Sequence, residues 1–156
     1  MFARITKTFE RRTERALILP RILWISRSII IVMTKYEGTK LSGFEPIDNV
    51  DELQIIDKEI GTGAEVQPGA TVTAHYTGAL CKNGIIFQSS HDFGDAISFP
   101  LDGVIEGWKV GVPGMRIGGW RRLIIPAAMA YGDQSPAPNI PARSDLVFDI
   151  ELVAIR

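Results

Sequence analysis

Groups that could attack a bond or hold a metal are scarce in this chain of 156 residues, which has one cysteine (Cys81) and two histidines (His75 and His91). A single thiol cannot form an internal disulfide, and one Cys with two His cannot complete a zinc cluster. His75 falls on the strand face opposite Tyr76 and reads as a sheet-surface residue, while His91 sits in a polar turn and reads as solvated. The glycines of Gly61-Thr62-Gly63 do not make a phosphate cradle, because Pro68 and Gly69 stand where its helix should run. Arg121-Arg122 reads as the charged outer face of a strand and not as a nucleic-acid patch. What remains is aromatic. Trp108 and Phe148 lie at helix and strand periodicity, where rings are ordinarily core. Tyr76 faces inward with a hydroxyl that needs a partner, so core and pocket readings stand level for it. Neither a metal nor a cofactor is expected.

The elements that must position these side chains are mostly strands. Glu52–Ile60 is strand-like and ends at Gly61-Thr62-Gly63. Thr71–Leu80 alternates, with Val72, Ala74 and Tyr76 on one face and Thr71, Thr73, His75 and Thr77 on the other. Asn83-Gly84 is a hairpin signal leading into Ile85-Ile86-Phe87. Ala96–Leu101, Leu123–Ile125 and Asp145–Val153 complete five or six strands; in the last, Leu146, Phe148, Ile150 and Leu152 share one face. One short helix is expected over Val104–Val112, with Asp102 as N-cap, Glu106 in its first turn, a stripe of Ile105, Trp108 and Val112, and Pro113-Gly114 as its stop. Many antiparallel strands and one helix give an α+β fold, a five- to six-stranded antiparallel sheet curled around one short α-helix.

Six short motifs then fall in a meaningful order: His75-Tyr76-Thr77-Gly78, Phe87-Gln88-Ser89-Ser90, Val104-Ile105-Glu106-Gly107-Trp108, Ala130-Tyr131-Gly132, Ile140-Pro141, and Leu146 to Leu152. Together they resemble the FKBP-type peptidyl-prolyl cis-trans isomerases, the macrolide-binding immunophilins, over residues 53–156. The resemblance implies a shallow aromatic pocket. Trp108 would be its floor; Tyr76, Phe87 and Phe148 its walls; Val104, Ile105 and Ile140 its rim. Tyr131 would offer a hydroxyl at the edge, and the Ile105 N–H would bind the substrate carbonyl. Ile97 and Phe99 would come from the strand that supplies a further wall. The implied partners are proline-containing polypeptides and macrolides.

Two positions depart from the family pattern. Gln88 stands where relatives usually carry Asp, and Ile97 where an aromatic is common. An amide can donate and accept hydrogen bonds but lacks the carboxylate's charge, so macrolide affinity is expected to be weakened. The turn-rich segment Asp133–Ser144 should overhang the pocket. The activity implied is rotation of X–Pro bonds during protein folding, with no covalent intermediate. The alternative is a non-catalytic module that grips proline peptides or macrolides.

Composition is that of an ordinary soluble domain, with 46% hydrophobic and 22% charged residues and a formal charge of −1. The charge is uneven. Residues 1–35 carry eight Lys/Arg against two acids, and residues 36–156 carry nine against sixteen. The chain therefore divides into a basic extension (1–35), a linker or extended arm (36–52) and the isomerase domain (53–156). The longest unbroken apolar run in the extension is Ile29–Met33, far short of the roughly 20 residues of a spanning helix. Three readings of the extension stand: a basic membrane-surface or organelle-targeting helix, a partner-binding or disordered tail, and translation starting at Met33. The last is favoured, which makes membrane contact by residues 1–32 the weaker alternative and the cytoplasm the expected compartment.

Overall fold

A computed structural model describes residues 38–156; the expectations for residues 1–35, including the start at Met33 and any membrane contact, lie outside the described residues. The described residues hold six strands: β1 (Gln54–Glu59), β2 (Thr71–Leu80), β3 (Ile86–Ser89), β4 (Ile97–Pro100), β5 (Trp120–Ile125) and β6 (Leu146–Ile155). They form one antiparallel sheet in the order β1-β5-β6-β2-β3, and β4 pairs with β2 as well. β2 is long enough to share one edge between two partners. β4 takes its first half (Thr71↔Pro100 to Ala74↔Ile97), and β3 takes its end (Thr77↔Ser89 to Ala79↔Ile86).

The alternation of β2 is realised as burial. Val72 and Ala74 are fully buried and Tyr76 is 8% exposed, while Thr71, Thr73 and His75 are half-buried. Leu146, Phe148, Ile150 and Leu152 of β6 face the same interior, which also takes Leu101, Trp108, Val112, Leu123 and Ile125. Against this face lies α1 (Glu106–Gly111). Two glycines bring it close: a Cβ on Gly107 would meet the Ile125 side chain at 2.4 Å, and one on Gly111 would meet Leu123 at 2.7 Å. That close approach is what carries the Trp108 indole down to the sheet.

The helix is shorter than its stripe suggests. Leu101–Gly103 is a separate 3-10 turn, and Asp102 lies inside it and does not cap the helix. Val104 (ψ 172°) and Ile105 (ψ 151°) are extended, and Ile105 is the residue that precedes the helix. Two extended residues and a first helical turn leave the same apolar spacing in the sequence.

The other face of the sheet is covered by the arm. Ile86 N donates to Thr39 O (2.8 Å), Leu41 N to Gly84 O (2.8 Å) and Ile47 N to Cys81 O (2.8 Å), and Val50 N donates to Asp145 Oδ2 at 2.9 Å. Leu41 and Val50 thereby join Ala79, Cys81, Ile124 and Val147 in a second apolar cluster, flanked by Phe44, Ile47, Ile56 and Ile86.

Arg121 and Arg122 correct the expectation of a charged outer face. Neighbours in a strand must face opposite ways, and both are buried, at 8% and 4% exposure. Arg121 reaches Asp57 (2.7 Å) and the carbonyl of Gly111 (2.8 Å). Arg122 pairs with Asp149 (2.6 Å), donates to the carbonyls of Gly43 (2.6 Å) and Ser42 (3.0 Å), and lies 5.7 Å from the Phe44 ring centre. One guanidinium ties β1 and the end of α1 to β5, and the other ties the arm to the sheet.

Candidate active site

β2, β6 and α1 converge where their aromatic residues meet. Trp108 lies against Phe99 (centroids 5.2 Å), Phe148 (5.4 Å) and Tyr76 (5.7 Å), and Phe87 against Phe148 at 5.7 Å. Interplanar angles of 64–87° make these edge-to-face contacts, the arrangement aromatic quadrupoles favour. Gly78 makes room for them. A Cβ there would meet Phe87 at 2.6 Å and Phe148 at 2.8 Å.

The rings enclose a cavity of about 340 Å³ lined by Tyr76, Phe87, Gln88, Phe99, Gly103, Val104, Ile105, Trp108, Tyr131, Ile140 and Phe148. Its base is buried, with Trp108 at 4% and Phe87 and Phe148 at 5% exposure. Its rim is not: Phe99, Val104, Ile105 and Gln88 are half-buried, and Tyr131 is exposed. None of the lining side chains carries a charge.

All but one of the residues anticipated for the pocket are therefore brought together. Ile97 is the exception. It packs half-buried against the core without lining the cavity; it stands opposite Ala74 in β4, two residues from Phe99 on the same side of the strand. The ring from that strand is Phe99, opposite Val72 and 5.6 Å from Tyr76. Gly103 also lines the cavity, and nothing in its type marks it as a lining residue. Gly78 does carry a signal, since an isolated glycine inside an alternating strand marks a close approach.

The polar groups of the site are donors, not bases. Tyr76 is pushed up to about 12, first by burial and then by the neighbouring Tyr131 and Asp92. Burial also raises Tyr131. Both phenols therefore keep their protons at neutral pH. The Ile105 carbonyl accepts from Trp108 N (3.0 Å) and Lys109 N (3.1 Å), whereas its N–H donates to no other described residue.

The histidines behave as surface groups. His91 is exposed, and its ring stacks on His75 at 4.3 Å. His75 Nδ1 lies 3.1 Å from Ser90 Oγ, which also accepts the Tyr76 N–H at 2.8 Å. Among the described residues no group of three or more His, Cys, Asp or Glu could hold a metal ion.

A family model described as FKBP-type peptidyl-prolyl cis-trans isomerase matches residues 63–153. A probable FK506-binding protein of Corynebacterium glutamicum is 43% identical over 104 residues, covering 67% of this chain and 87% of the relative. The peptidyl-prolyl cis-trans isomerase FPR2 of Saccharomyces cerevisiae is 45% identical over 94 residues, covering 59% of this chain and 70% of its own. Among solved structures, AtFKBP13 superposes with a TM-score of 0.59 at 38% identity, covering 67% of this chain and 93% of that one.

Proposed function

The chain belongs to the FKBP-type peptidyl-prolyl cis-trans isomerase family and is an isomerase of X–Pro bonds; we propose that the aromatic cup is where the proline of a folding polypeptide settles while its peptide bond turns. The observation that carries this reading is the uncharged cavity of about 340 Å³, with an indole and two phenylalanines at its base.

Rotation about a peptide bond faces a barrier of about 18–20 kcal/mol because the C–N bond is partly double. Uncatalysed X–Pro exchange consequently takes tens to hundreds of seconds. No bond breaks, so neither a nucleophile nor a metal is required. As the amide twists, resonance is lost and its charge separation shrinks. Water stabilises the planar, polar form more than the twisted one, and an aromatic site removes that preference. In this reading Trp108, Phe87, Phe148, Tyr76 and Phe99 supply the dry surface. The Ile105 N–H and the Tyr131 hydroxyl hold carbonyls of the chain in register. Val104, Ile140 and Gln88 contact the residues flanking proline. Lowering the barrier by about 7 kcal/mol corresponds to an acceleration on the order of 10⁵.

The reading extends to FK506-like macrolides as ligands of the same cup, bound weakly because Gln88 brings no charge. We further propose a cytoplasmic location, a setting compatible with the unpaired Cys81 thiol and tested by cell fractionation.

The test is an NMR-exchange or protease-coupled assay on a short proline peptide. Wild type should accelerate exchange. Trp108→Leu and Phe148→Ala should each lower kcat/KM by about tenfold or more, a barrier change of about 1.4 kcal/mol. Peptide binding without faster exchange would leave only a binding module and sink the proposal.

A further inference from the structure

The wall of the cup contains an irregularity in its strand ladder. The β2–β3 ladder passes from Ala79↔Ile86 to Gly78↔Gln88, so Phe87 has no counterpart across the register shift. A residue at such a bulge is left out of the regular ladder. Its carbonyl is taken up from the far side of the cavity instead: Asn139 Nδ2 donates to Phe87 O at 3.1 Å. Asn139 is half-buried and belongs to the loop that overhangs the cup.

Ile140 and Ala137 of that loop pack on the core cluster, and its other hydrogen bonds stay within the loop or reach its base. Ile140 N donates to Ala137 O (3.0 Å), and Arg143 N donates to Gly132 O (2.8 Å). Ser135 Oγ lies 2.7 Å from Ile140 O and 2.9 Å from Ala137 O, and its single proton serves one of them at a time. The Arg143–Asp133 pair at the loop's base is about 80% exposed on both sides (79% and 82%), a setting in which ion pairs contribute little. Asn139 thus bridges from the loop to the wall. Its chain neighbour Ile140 and Phe87's chain neighbour Gln88 both line the cavity. One hydrogen bond spans the gap between these two sides of the mouth.

We propose that Asn139 is a positioning residue, which ties the overhanging loop to the bulged Phe87 and so sets the width of the mouth gripping the residues next to proline. The inference rests on the isomerase reading of the cup. Contacts at the mouth are made to the planar and the twisted substrate alike, so they act on binding and not on the rotation step.

The experiment measures KM and kcat separately, by NMR exchange at varied concentrations of two peptides carrying Ala or Leu before proline. Asn139→Ala removes the donor, and Asn139→Asp keeps the size while facing a carboxylate against a carbonyl. Both variants should raise KM about fivefold, the scale of one lost neutral hydrogen bond, with kcat within about twofold of wild type. The Ala/Leu preference should change by a similar factor. Unchanged KM in both variants overturns the proposal, as does a fall in kcat at constant KM, which is what a loss of folded enzyme would produce.

In the wild type the Asn139 side-chain protons should exchange slowly with solvent, and Asn139 Nδ2 should show a through-hydrogen-bond scalar coupling to the ¹³C-labelled Phe87 carbonyl. Rapid exchange overturns the proposal even if a variant fails to fold. A wild type that binds without catalysis refutes the isomerase reading instead; the Asn139–Phe87 tie is then tested by the peptide Kd, which should rise about fivefold in both variants, and an unchanged Kd overturns the proposal.

Discussion

Gln88, the Tyr76 phenol and the Cys81 thiol show how single side chains set chemistry here. Gln88 lines the mouth as a neutral amide. Gln88→Asp restores a carboxylate beside the cup, and macrolide affinity should rise about tenfold or more in a calorimetric titration, as expected when a charge-assisted hydrogen bond replaces a neutral one. Equal affinity for the two proteins would show that the charge is irrelevant. Tyr76 and Cys81 both stand near 12, from ordinary values of 10.0 and 9.0, with burial as the largest cause and, for Cys81, Asp145 as the next. Below their ordinary values both groups are neutral in folded and unfolded chains alike, and nothing is lost. Above them the unfolded chain ionises while the folded one resists, so stability falls as pH rises towards the folded values. The urea midpoint should therefore hold to about pH 9 and decline between about pH 9 and 12, and Tyr76→Phe with Cys81→Ala should flatten that decline. The same buried thiol should resist alkylation at pH 8 in the native protein, because the thiolate is the reactive form.

At the level of elements, contact distance is controlled by glycine. Gly78 lets the Phe87 and Phe148 rings cross over β2, and Gly107 with Gly111 seats α1 on Ile125 and Leu123. Gly78→Ala should cost about 1–3 kcal/mol of stability by overpacking. It should also reduce kcat/KM in the folded fraction, since the rings that must move form the cup. Chemical denaturation paired with the peptide assay checks both. Normal activity at reduced stability would show that the rings have another way to settle. The stripe of Ile105, Trp108 and Val112 was legible as one helix face, but the helix start was not. Val104 and Ile105 are extended because they leave a 3-10 turn and form the rim of the cavity, a tertiary role that spacing does not encode.

Across the whole molecule the sheet separates two apolar clusters, the cup's foundation on one side and the arm's seat on the other. Arg122 is the post between arm and sheet, bonded to Asp149 and to two arm carbonyls. Removing one partner of a buried ion pair leaves the other charge uncompensated, a cost of about 3–5 kcal/mol. Arg122→Ala should therefore lower the denaturation midpoint and free the arm, opening Cys81 to alkylation at neutral pH. Because the cup lies on the opposite face, activity per folded molecule should be retained. An arm that stays in place, read as continued protection of Cys81, would assign the anchoring to the backbone bonds of Thr39, Leu41 and Ile47.

Alternation along Thr71–Leu80 and Asp145–Val153, the turn residues Asn83-Gly84 and the ordered motifs from His75 to Leu152 were enough to set the sheet, its inward faces and the family. These are local patterns, and the chain's periodicity expresses them directly. Long-range neighbours were settled only by folding. Ile97 stands off the cavity while Phe99 enters it. Arg121 and Arg122 turn from surface charges into buried ties, and Asn139 reaches Phe87 across 52 positions of sequence. A side chain's type declares what it can bond, but which carbonyl or ring comes within reach depends on how distant segments close over one another.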